Sequence, residues 1–178
     1  MEYVDILDEF GNKTGETVEK TESYKRSLWH RVAIALIINP NGETLVCRRA
    51  LTKKLSPGLW ANSATGYIRS GEQNRDAIKR EISEELGLII SDNQLIYMGS
   101  IKDQMCEIPG TCSRWFLEVF IAKLTENRPE IKIKPDEVNT YEWVKIDDLP
   151  EFVKTHDFMP TFTHITMPLL QRFMQWNV

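Results

Sequence analysis

The sequence of 178 residues lacks the features that mark membrane, secreted and nucleic-acid-binding proteins. It contains no apolar run near the ~20 residues that a membrane-spanning helix needs. Its opening residues are acidic rather than basic and then apolar, so we expect no secretory signal. Lys and Arg number 22 against 26 Asp and Glu, and the net charge of −4 provides no overall positive field for nucleic acid or a membrane surface. We therefore expect a cytoplasmic protein.

Cysteine is also scarce, since the chain contains only Cys47, Cys106 and Cys112. An odd number without C-x-x-C spacing argues against both a zinc site and a disulfide framework. Cys106 and Cys112 are near enough in the chain to pair. We nevertheless expect all three to be reduced thiols.

The remaining composition is typical of one soluble domain spanning 1–178, with 42% hydrophobic and 27% charged residues. Alternating or β-branched apolar runs predict strands, and segments rich in helix formers predict helices. The first strands are expected to form an N-terminal hairpin extension over about 1–28. Together these elements predict a mixed α/β domain. The predicted strands cover 3–8, a stretch leading into 17–18, 31–39, 44–47, 95–101, 115–124 and 140–146, and the predicted helices cover 74–86 and 169–176.

The helix predicted over 74–86 concentrates acidic residues on one side. Glu81, Glu84 and Glu85 fall on one arc of its surface, beside an apolar stripe. Like charges at these i, i+3 and i, i+4 spacings cost roughly 0.2–0.5 kcal/mol per pair. Converging carboxylates suit a hard divalent cation such as Mg²⁺, which takes oxygen ligands. The alternative interpretation is a solvated acidic face.

Residues on both sides of this helix complete a longer pattern. Gly66 is followed after five residues by Glu72 and after seven more by Arg80, and the run from Arg80 to Leu88 supplies the remaining glutamates, aliphatic residues and glycine. This is a full Nudix box over 66–88, so the chain resembles the Nudix hydrolase superfamily. The resemblance implies an α/β/α sandwich with a mixed β-sheet.

The same resemblance implies roles for residues of the box. Glu81, Glu84 and Glu85 are expected to be the ligands of Mg²⁺ or Mn²⁺ and to act in catalysis. Glu72 is expected to add to the metal site. Arg80 is expected to orient a glutamate through a charge-assisted hydrogen bond.

One further glutamate is expected to act from outside the box. Many Nudix hydrolases place a metal-binding or basic glutamate ahead of a late strand, and Glu137 is the candidate here. An ordinary loop acid is the alternative for Glu137. Glu118 is a second candidate, although its position in a strand also fits a solvent-facing residue.

A closer resemblance covers nearly the whole chain. The segments 45–54, 57–63 and 136–144 are similar to type 1 isopentenyl-diphosphate isomerase. In that family, the residues matching Arg49 and Lys53 hold the substrate diphosphate, and both side chains are chemically suited to that role. The alternative is a basic surface loop without a ligand.

The chain departs from the isomerase family at the residues that carry its chemistry. Thr65 stands where the family has a cysteine, and a threonine hydroxyl does not readily ionise. Tyr67 stands where the family has a metal-binding histidine. Only His30 is matched from that metal site. We therefore interpret His30 as a hydrogen-bonded structural residue, with metal ligation as the alternative.

The sequence therefore predicts metal-dependent hydrolysis of a diphosphate linkage in a nucleoside diphosphate derivative or another small organic diphosphate. Tyr67, Trp60 and Trp115 are candidates to line the pocket for the organic group, with burial in the core as the alternative for each. Two other functions remain open: isomerase activity on prenyl diphosphates and a non-catalytic ligand-binding module. The expected partner is the small-molecule substrate. The sequence leaves open whether the protein is a monomer or a homodimer.

Overall fold

A computed structural model describes residues 2–176 as a mixed β-sheet with helices on both faces. The strands are β1 (Tyr3–Leu7), β2 (Lys13–Glu19), β3 (Trp29–Ile38), β4 (Glu43–Arg49), β5 (Trp60–Ala61), β6 (Ala64–Tyr67), β7 (Leu95–Ile108), β8 (Thr111–Lys123) and β9 (Val138–Lys145). The α-helices are α1 (Lys20–Lys25), α2 (Asn74–Leu86), α3 (Leu149–Thr155) and α4 (Met167–Trp176).

Strand β3 lies at the centre of the sheet because its apolar side chains are buried on both faces. One of its edges pairs in parallel with β8 along its whole length, from Trp29 with Arg114 to Ile38 with Lys123. Its other edge is shared by β1, β6 and β4, all antiparallel. Strands β7 and β9 extend the sheet from β8 and β4, and β5 pairs with β4 over two residues.

Alternation along β3 separates two apolar layers. On one face, Ile78 and Ile82 of α2 pack against Ala33 and its odd-numbered neighbours. On the other face, Leu170 of α4 packs in a cluster with Leu36. The predicted α/β/α sandwich with a mixed sheet is confirmed, and β1 and β2 form the predicted N-terminal hairpin.

Helix α2 begins and ends as the sequence predicts. It spans Asn74–Leu86, and Gly87 follows with a φ of 70°. That left-handed conformation favours glycine, and the Gly87 N–H donates to the carbonyl oxygen of Ser83 at 3.0 Å. The helix is therefore closed at the residue where the box returns to a loop.

The hairpin of β7 and β8 is longer than predicted. The predicted strands 95–101 and 115–124 continue to Ile108 and begin at Thr111. The added part of β7 alternates between exposed and half-buried positions up to Met105 and is exposed from Cys106 to Ile108, so it lacks the apolar run on which the prediction depended. The short elements α1, α3, β5 and β6 were also not predicted.

Cys106 and Cys112 form a disulfide near the end of this hairpin. This corrects the prediction that all three cysteines are reduced thiols. The antiparallel register, with Met105 opposite Ser113, brings the two thiols together. Cys47 is a free, buried thiol, and burial raises its pKa. Within residues 2–176, no helix is long and apolar enough to cross a membrane.

Candidate active site

A cavity of about 420 Å³ lies beside β6, where the end of the sheet meets α2. Its wall is apolar on the β3 and β8 side and charged on the side of α2 and the loops. It brings together most of the residues that the sequence predicted for the site. Those residues are Arg49, Lys53, Tyr67, Glu81, Glu84, Glu85, Glu137 and Trp115.

The short strand β6 allows the glutamates of α2 to reach the cavity. Its inner edge pairs with β3, and on its outer edge the Thr65 N–H lies 3.4 Å from Oε2 of Glu85. Gly66 provides the space for Glu81, because a β-carbon on Gly66 would lie 1.9 Å from Cδ of that glutamate. A side chain at position 66 would therefore push Glu81 out of its place.

Arg80 holds two glutamates of the box in fixed positions. Its Nε and Nη2 each lie 2.9 Å from a carboxylate oxygen of Glu72, and its Nη1 lies 2.5 Å from Oε1 of Glu81. Nη2 also donates to the carbonyl oxygen of Tyr67 at 3.0 Å. The planar guanidinium therefore joins the loop after Gly66 to the helix.

This placement changes the expected role of Glu72. The sequence predicted Glu72 as an additional metal ligand. The structure instead turns both of its oxygens toward Arg80, and one of them also accepts the N–H of Arg69. Neither Glu72 nor Arg80 lines the cavity. We therefore interpret Glu72 as a residue that supports Arg80 rather than as a metal ligand.

The carboxylates that remain at the cavity repel one another. Burial raises the pKa of Glu85 to about 8, and the nearby charges of Glu81 and Glu137 add to that effect. Burial also raises the pKa of Glu81, despite its contact with Arg80. Anionic oxygens held together out of water are stabilised by a cation. The chemistry of this donor set therefore fits a divalent metal ion.

The glutamates are not arranged as a closed metal cage. Within residues 2–176, no three carboxylate, imidazole or thiol groups converge closely enough to hold a metal ion as they stand. Glu81 is turned toward Arg80, and the Glu84 side chain is 42% exposed.

Glu137 lies across the cavity from α2, in an ion pair with Lys53. Arg49 is largely buried beside them, and its Nη2 donates to the carbonyl oxygen of Leu55 at 2.9 Å. Burial lowers the pKa of the Arg49 guanidinium, while four acidic groups in the vicinity favour its charged form. The cations that the sequence predicted for the diphosphate thus lie next to the glutamate predicted outside the box.

Several other predicted residues lie outside the cavity or support its wall. Trp60 packs in the core against Phe158, and its predicted alternative, a buried core position, is the observed one. Glu118 accepts hydrogen bonds from the hydroxyls of Tyr97 and Ser100, and it does not line the cavity. His30 is buried, and its ring stacks on Tyr67 with 5.2 Å between centroids.

Sequence reasoning did not identify four charged residues that line the cavity. They come from segments without a recognisable motif, and only one of them lies between fixed positions of the box. Tertiary packing, rather than a local pattern, brings them to the site. They are Glu2, Lys20, Arg69 and Lys134.

The sequence was compared with family models and with known proteins. The model described as the NUDIX domain matches residues 28–163. The chain is also similar to the Isopentenyl-diphosphate Delta-isomerase of Escherichia coli (strain ATCC 8739). The two are 34% identical over 149 residues, which cover 83% of this chain and 79% of that protein.

Solved structures share the fold. The DR0079 protein from Deinococcus radiodurans matches with a TM-score of 0.72 and 20% identity, covering 96% of this chain and 98% of that one. A MutT protein from Methanosarcina mazei Go1 matches with a TM-score of 0.62 and 21% identity, covering 84% and 95%. The fold, the box with its glutamates at a cavity and the match over 28–163 agree, and the chain belongs to the NUDIX domain family.

Proposed function

We propose that this protein is a Nudix pyrophosphohydrolase, an enzyme that uses water to cleave a diphosphate linkage in a small organic molecule. One observation carries the proposal. The buried, mutually repelling glutamates of α2 share a cavity with cationic side chains. A metal ion and an anionic substrate would together neutralise that arrangement. Membership of the NUDIX domain family supports the same activity.

In this proposal Glu81, Glu84 and Glu85 hold Mg²⁺ or Mn²⁺. The bound metal ion supplies charge neutralisation at the phosphoryl oxygens and a lower pKa for the attacking water. Arg80, supported by Glu72, positions Glu81. These assignments follow the box and the hydrogen bonds of the helix.

Other side chains bind the substrate and move the proton. Glu137 is the proposed base, and its ion pair with Lys53 holds its carboxylate at the cavity. Arg49 and Lys53 bind a phosphoryl group of the substrate. Lys53 would break its ion pair with Glu137 and bind that phosphoryl group instead. Tyr67 and Trp115 line the part of the cavity that takes the organic group.

The organic group is proposed only by class. A nucleoside diphosphate derivative is the first candidate, and another small organic diphosphate is the second. One solved neighbour is an Ap4A hydrolase from C. elegans, with a TM-score of 0.55 and 18% identity. At this identity the match shows the shared fold alone, so the substrate requires a direct screen.

Isomerase activity on a prenyl diphosphate is a second candidate function, favoured by the 34% identity to an isomerase. Thr65 argues against it, because its hydroxyl does not readily ionise to replace a thiol in proton transfer. Incubation with isopentenyl diphosphate, followed by proton NMR, would detect a dimethylallyl product. We expect none, and its formation at a catalytic rate would replace hydrolysis as the main activity.

The hydrolase proposal is tested with Glu84→Gln in a screen of diphosphate compounds with Mg²⁺ or Mn²⁺. Loss of this ligand should lower phosphate or pyrophosphate release by about 100-fold or more, since loss of a residue that merely supports a ligand costs about 10–100-fold. Asp76→Asn is the matched control, because Asp76 is an exposed acid on the same helix. Equal activity in the two variants would contradict the assignment.

A further inference from the structure

The edge of the cavity formed by the N-terminal segment holds an unusual ion cluster. The Glu2 carboxylate lies between two cations that come from different elements. Lys20 Nζ lies 2.5 Å from Oε2 of Glu2, and Arg69 reaches Oε1 through Nη2 at 2.7 Å and through Nε at 3.0 Å. All three side chains line the cavity. A carboxylate that receives this many cationic donors occupies a complete anion-binding site.

This cluster adjoins the proposed metal-binding glutamates. Nη2 of Arg69 lies 3.7 Å from Oε1 of Glu84. Across the cavity from α2, Lys53 forms a separate ion pair with Glu137. The glutamate helix is therefore flanked by two groups of cations, each paired with a carboxylate in this structure.

We propose that Lys20 and Arg69 form a second anion-binding site for a phosphoryl group of the substrate, and that the Glu2 carboxylate occupies this site until the phosphoryl group displaces it. The inference rests on the proposed function for the identity of the ligand as a diphosphate or longer polyphosphate. It adds Arg69 to the substrate-binding residues and gives Glu2 the role of an internal competitor.

The exchange of Glu2 for a ligand is physically reasonable. The Glu2 side chain is 27% exposed and both cationic side chains are 41% exposed, so water and small anions reach the cluster. Ion pairs of this exposure contribute little to stability. The backbone around Glu2 is held independently, because its carbonyl oxygen accepts the Lys20 N–H at 3.0 Å. The carboxylate can therefore leave without unfolding the segment.

The proposal predicts opposite effects for two variants. Glu2→Gln removes the competing charge and leaves the two cations available. If the Glu2 carboxylate leaves the site free for about a tenth to a third of the time, it weakens apparent binding of the ligand by about threefold to tenfold. Its removal should therefore tighten binding by the same factor. Arg69→Met removes a charged fork and should weaken binding by about tenfold or more. In the double variant Glu2→Gln, Arg69→Met, the increase in affinity caused by Glu2→Gln should be smaller than in the wild-type background.

The test is isothermal titration calorimetry with inorganic pyrophosphate in Mg²⁺ buffer, using the full chain. Glu16→Gln is the matched control, because Glu16 forms an exposed ion pair with Arg26 at 2.7 Å outside the cavity, and its replacement changes the net charge equally. Circular dichroism establishes that each variant is folded. If Glu2→Gln binds pyrophosphate no more tightly than Glu16→Gln does, or if Arg69→Met binds as tightly as the wild type, the proposal is wrong.

Binding and turnover separate this inference from the proposed function. Calorimetry needs no hydrolysis, so the two-variant pattern remains measurable even if no diphosphate compound is cleaved. Hydrolysis that depends on Glu84 but is accompanied by unchanged pyrophosphate binding in the Glu2 and Arg69 variants would overturn only the second anion-binding site.

Discussion

His30 illustrates how burial fixes the state of one side chain. Its Nδ1 lies 2.9 Å from the carbonyl oxygen of Leu28, and the ring is fully buried. A carbonyl group only accepts a hydrogen bond, so Nδ1 carries the proton and Nε2 is the unprotonated nitrogen of a neutral ring. Burial lowers the pKa of His30 to about 4, although the bond to Leu28 opposes the change. This state fits the structural role that the sequence suggested.

A stability measurement would detect this buried neutral ring. Between about pH 6.5 and pH 4 only the unfolded chain takes up the proton, so the free energy of unfolding should fall as the pH falls through this window. A pKa lowered from 6.5 to about 4 corresponds to about 3 kcal/mol. His30→Asn retains a donor for Leu28 and should remove this part of the pH dependence. Urea unfolding at several pH values measures the free energy of unfolding of both proteins. If this free energy falls with pH equally in the wild type and in His30→Asn, the prediction is contradicted.

At the scale of single residues, the sequence predicted the box side chains better than their partners. Glu81, Glu84 and Glu85 were predicted because helical periodicity and box spacing are local. Glu72 was predicted as an additional metal ligand, and its hydrogen bonds with Arg80 favour a supporting role instead, because a spacing does not reveal which carboxylate turns toward Arg80. Lys20 and Lys134 were missed, since no local signal distinguishes a cavity lysine from a surface one.

At the scale of elements, the hairpin of β7 and β8 supports Arg49, one of the two cations proposed to bind the substrate. A carboxylate oxygen of Glu107 accepts the Ser56 N–H at 3.0 Å, and Glu107 also accepts the Ser56 hydroxyl. The carbonyl oxygens of Leu55 and Ser56 in turn accept hydrogen bonds from Arg49. The Cys106 disulfide adjoins Glu107 in the chain. The end of the hairpin thus fixes the loop that orients Arg49.

Removal of the disulfide should therefore loosen substrate binding. In the double variant Cys106→Ser, Cys112→Ser, we expect KM to rise by about tenfold, the lower end of the range for supporting residues, and kcat to change little. The reason is that the loop at Ser56, whose carbonyl oxygens orient Arg49, becomes less rigid, while the structure of α2 does not change. Steady-state kinetics measure the separation of KM and kcat.

The control is dithiothreitol, which should raise the KM of the wild type and leave the serine variant unaffected. A fall in kcat without a change in KM would show that the hairpin acts on the glutamates and not on Arg49.

The elements that the sequence predicted well are those with a strong local pattern. Helix α2 and strand β3 have long, regular apolar spacing, and their bounds were close to those observed. Strand β6 has four residues and is a strand because β3 pairs with it. The end of the β7 and β8 hairpin is likewise fixed by cross-strand pairing, which no window of sequence contains.

At the scale of the whole molecule, metal binding should be visible as stability. A cation that binds only the folded chain raises the free energy of unfolding, by about 2.7 kcal/mol at a concentration 100 times its Kd. Transfer from Mg²⁺ to EDTA should therefore lower the unfolding midpoint. Glu85→Gln should raise the stability of the metal-free protein, because it removes a buried carboxyl whose raised pKa reflects an unfavourable environment, and should abolish most of the gain from Mg²⁺.

Differential scanning calorimetry at matched ionic strength tests both parts of this prediction. A midpoint that does not respond to Mg²⁺ in the wild type would argue against a metal site in the cavity. An equal response in Glu85→Gln would place the metal away from this glutamate.

The order of elements in the sequence was sufficient to predict a mixed α/β domain, and the resemblance of the box to the Nudix superfamily implied the α/β/α sandwich. Its long-range geometry was not predictable from the same information. The parallel pairing of β3 with β8 and the arrival of Glu2 at the cavity both join segments that are far apart in the chain. Such contacts depend on the free energy of the whole packed chain and leave no periodic trace in either segment.

The pairing of β3 with β8 also has a consequence for the time course of folding. The two strands are about 85 residues apart in the chain, so the centre of the sheet forms only after a large loop has closed. Local hairpins and α2 can form earlier. Because Val32 and Leu117 on these strands build the apolar wall of the cavity, a newly made chain acquires much of its secondary structure before it acquires a place for substrate. Catalytic competence is thus among the last properties to emerge as this protein folds.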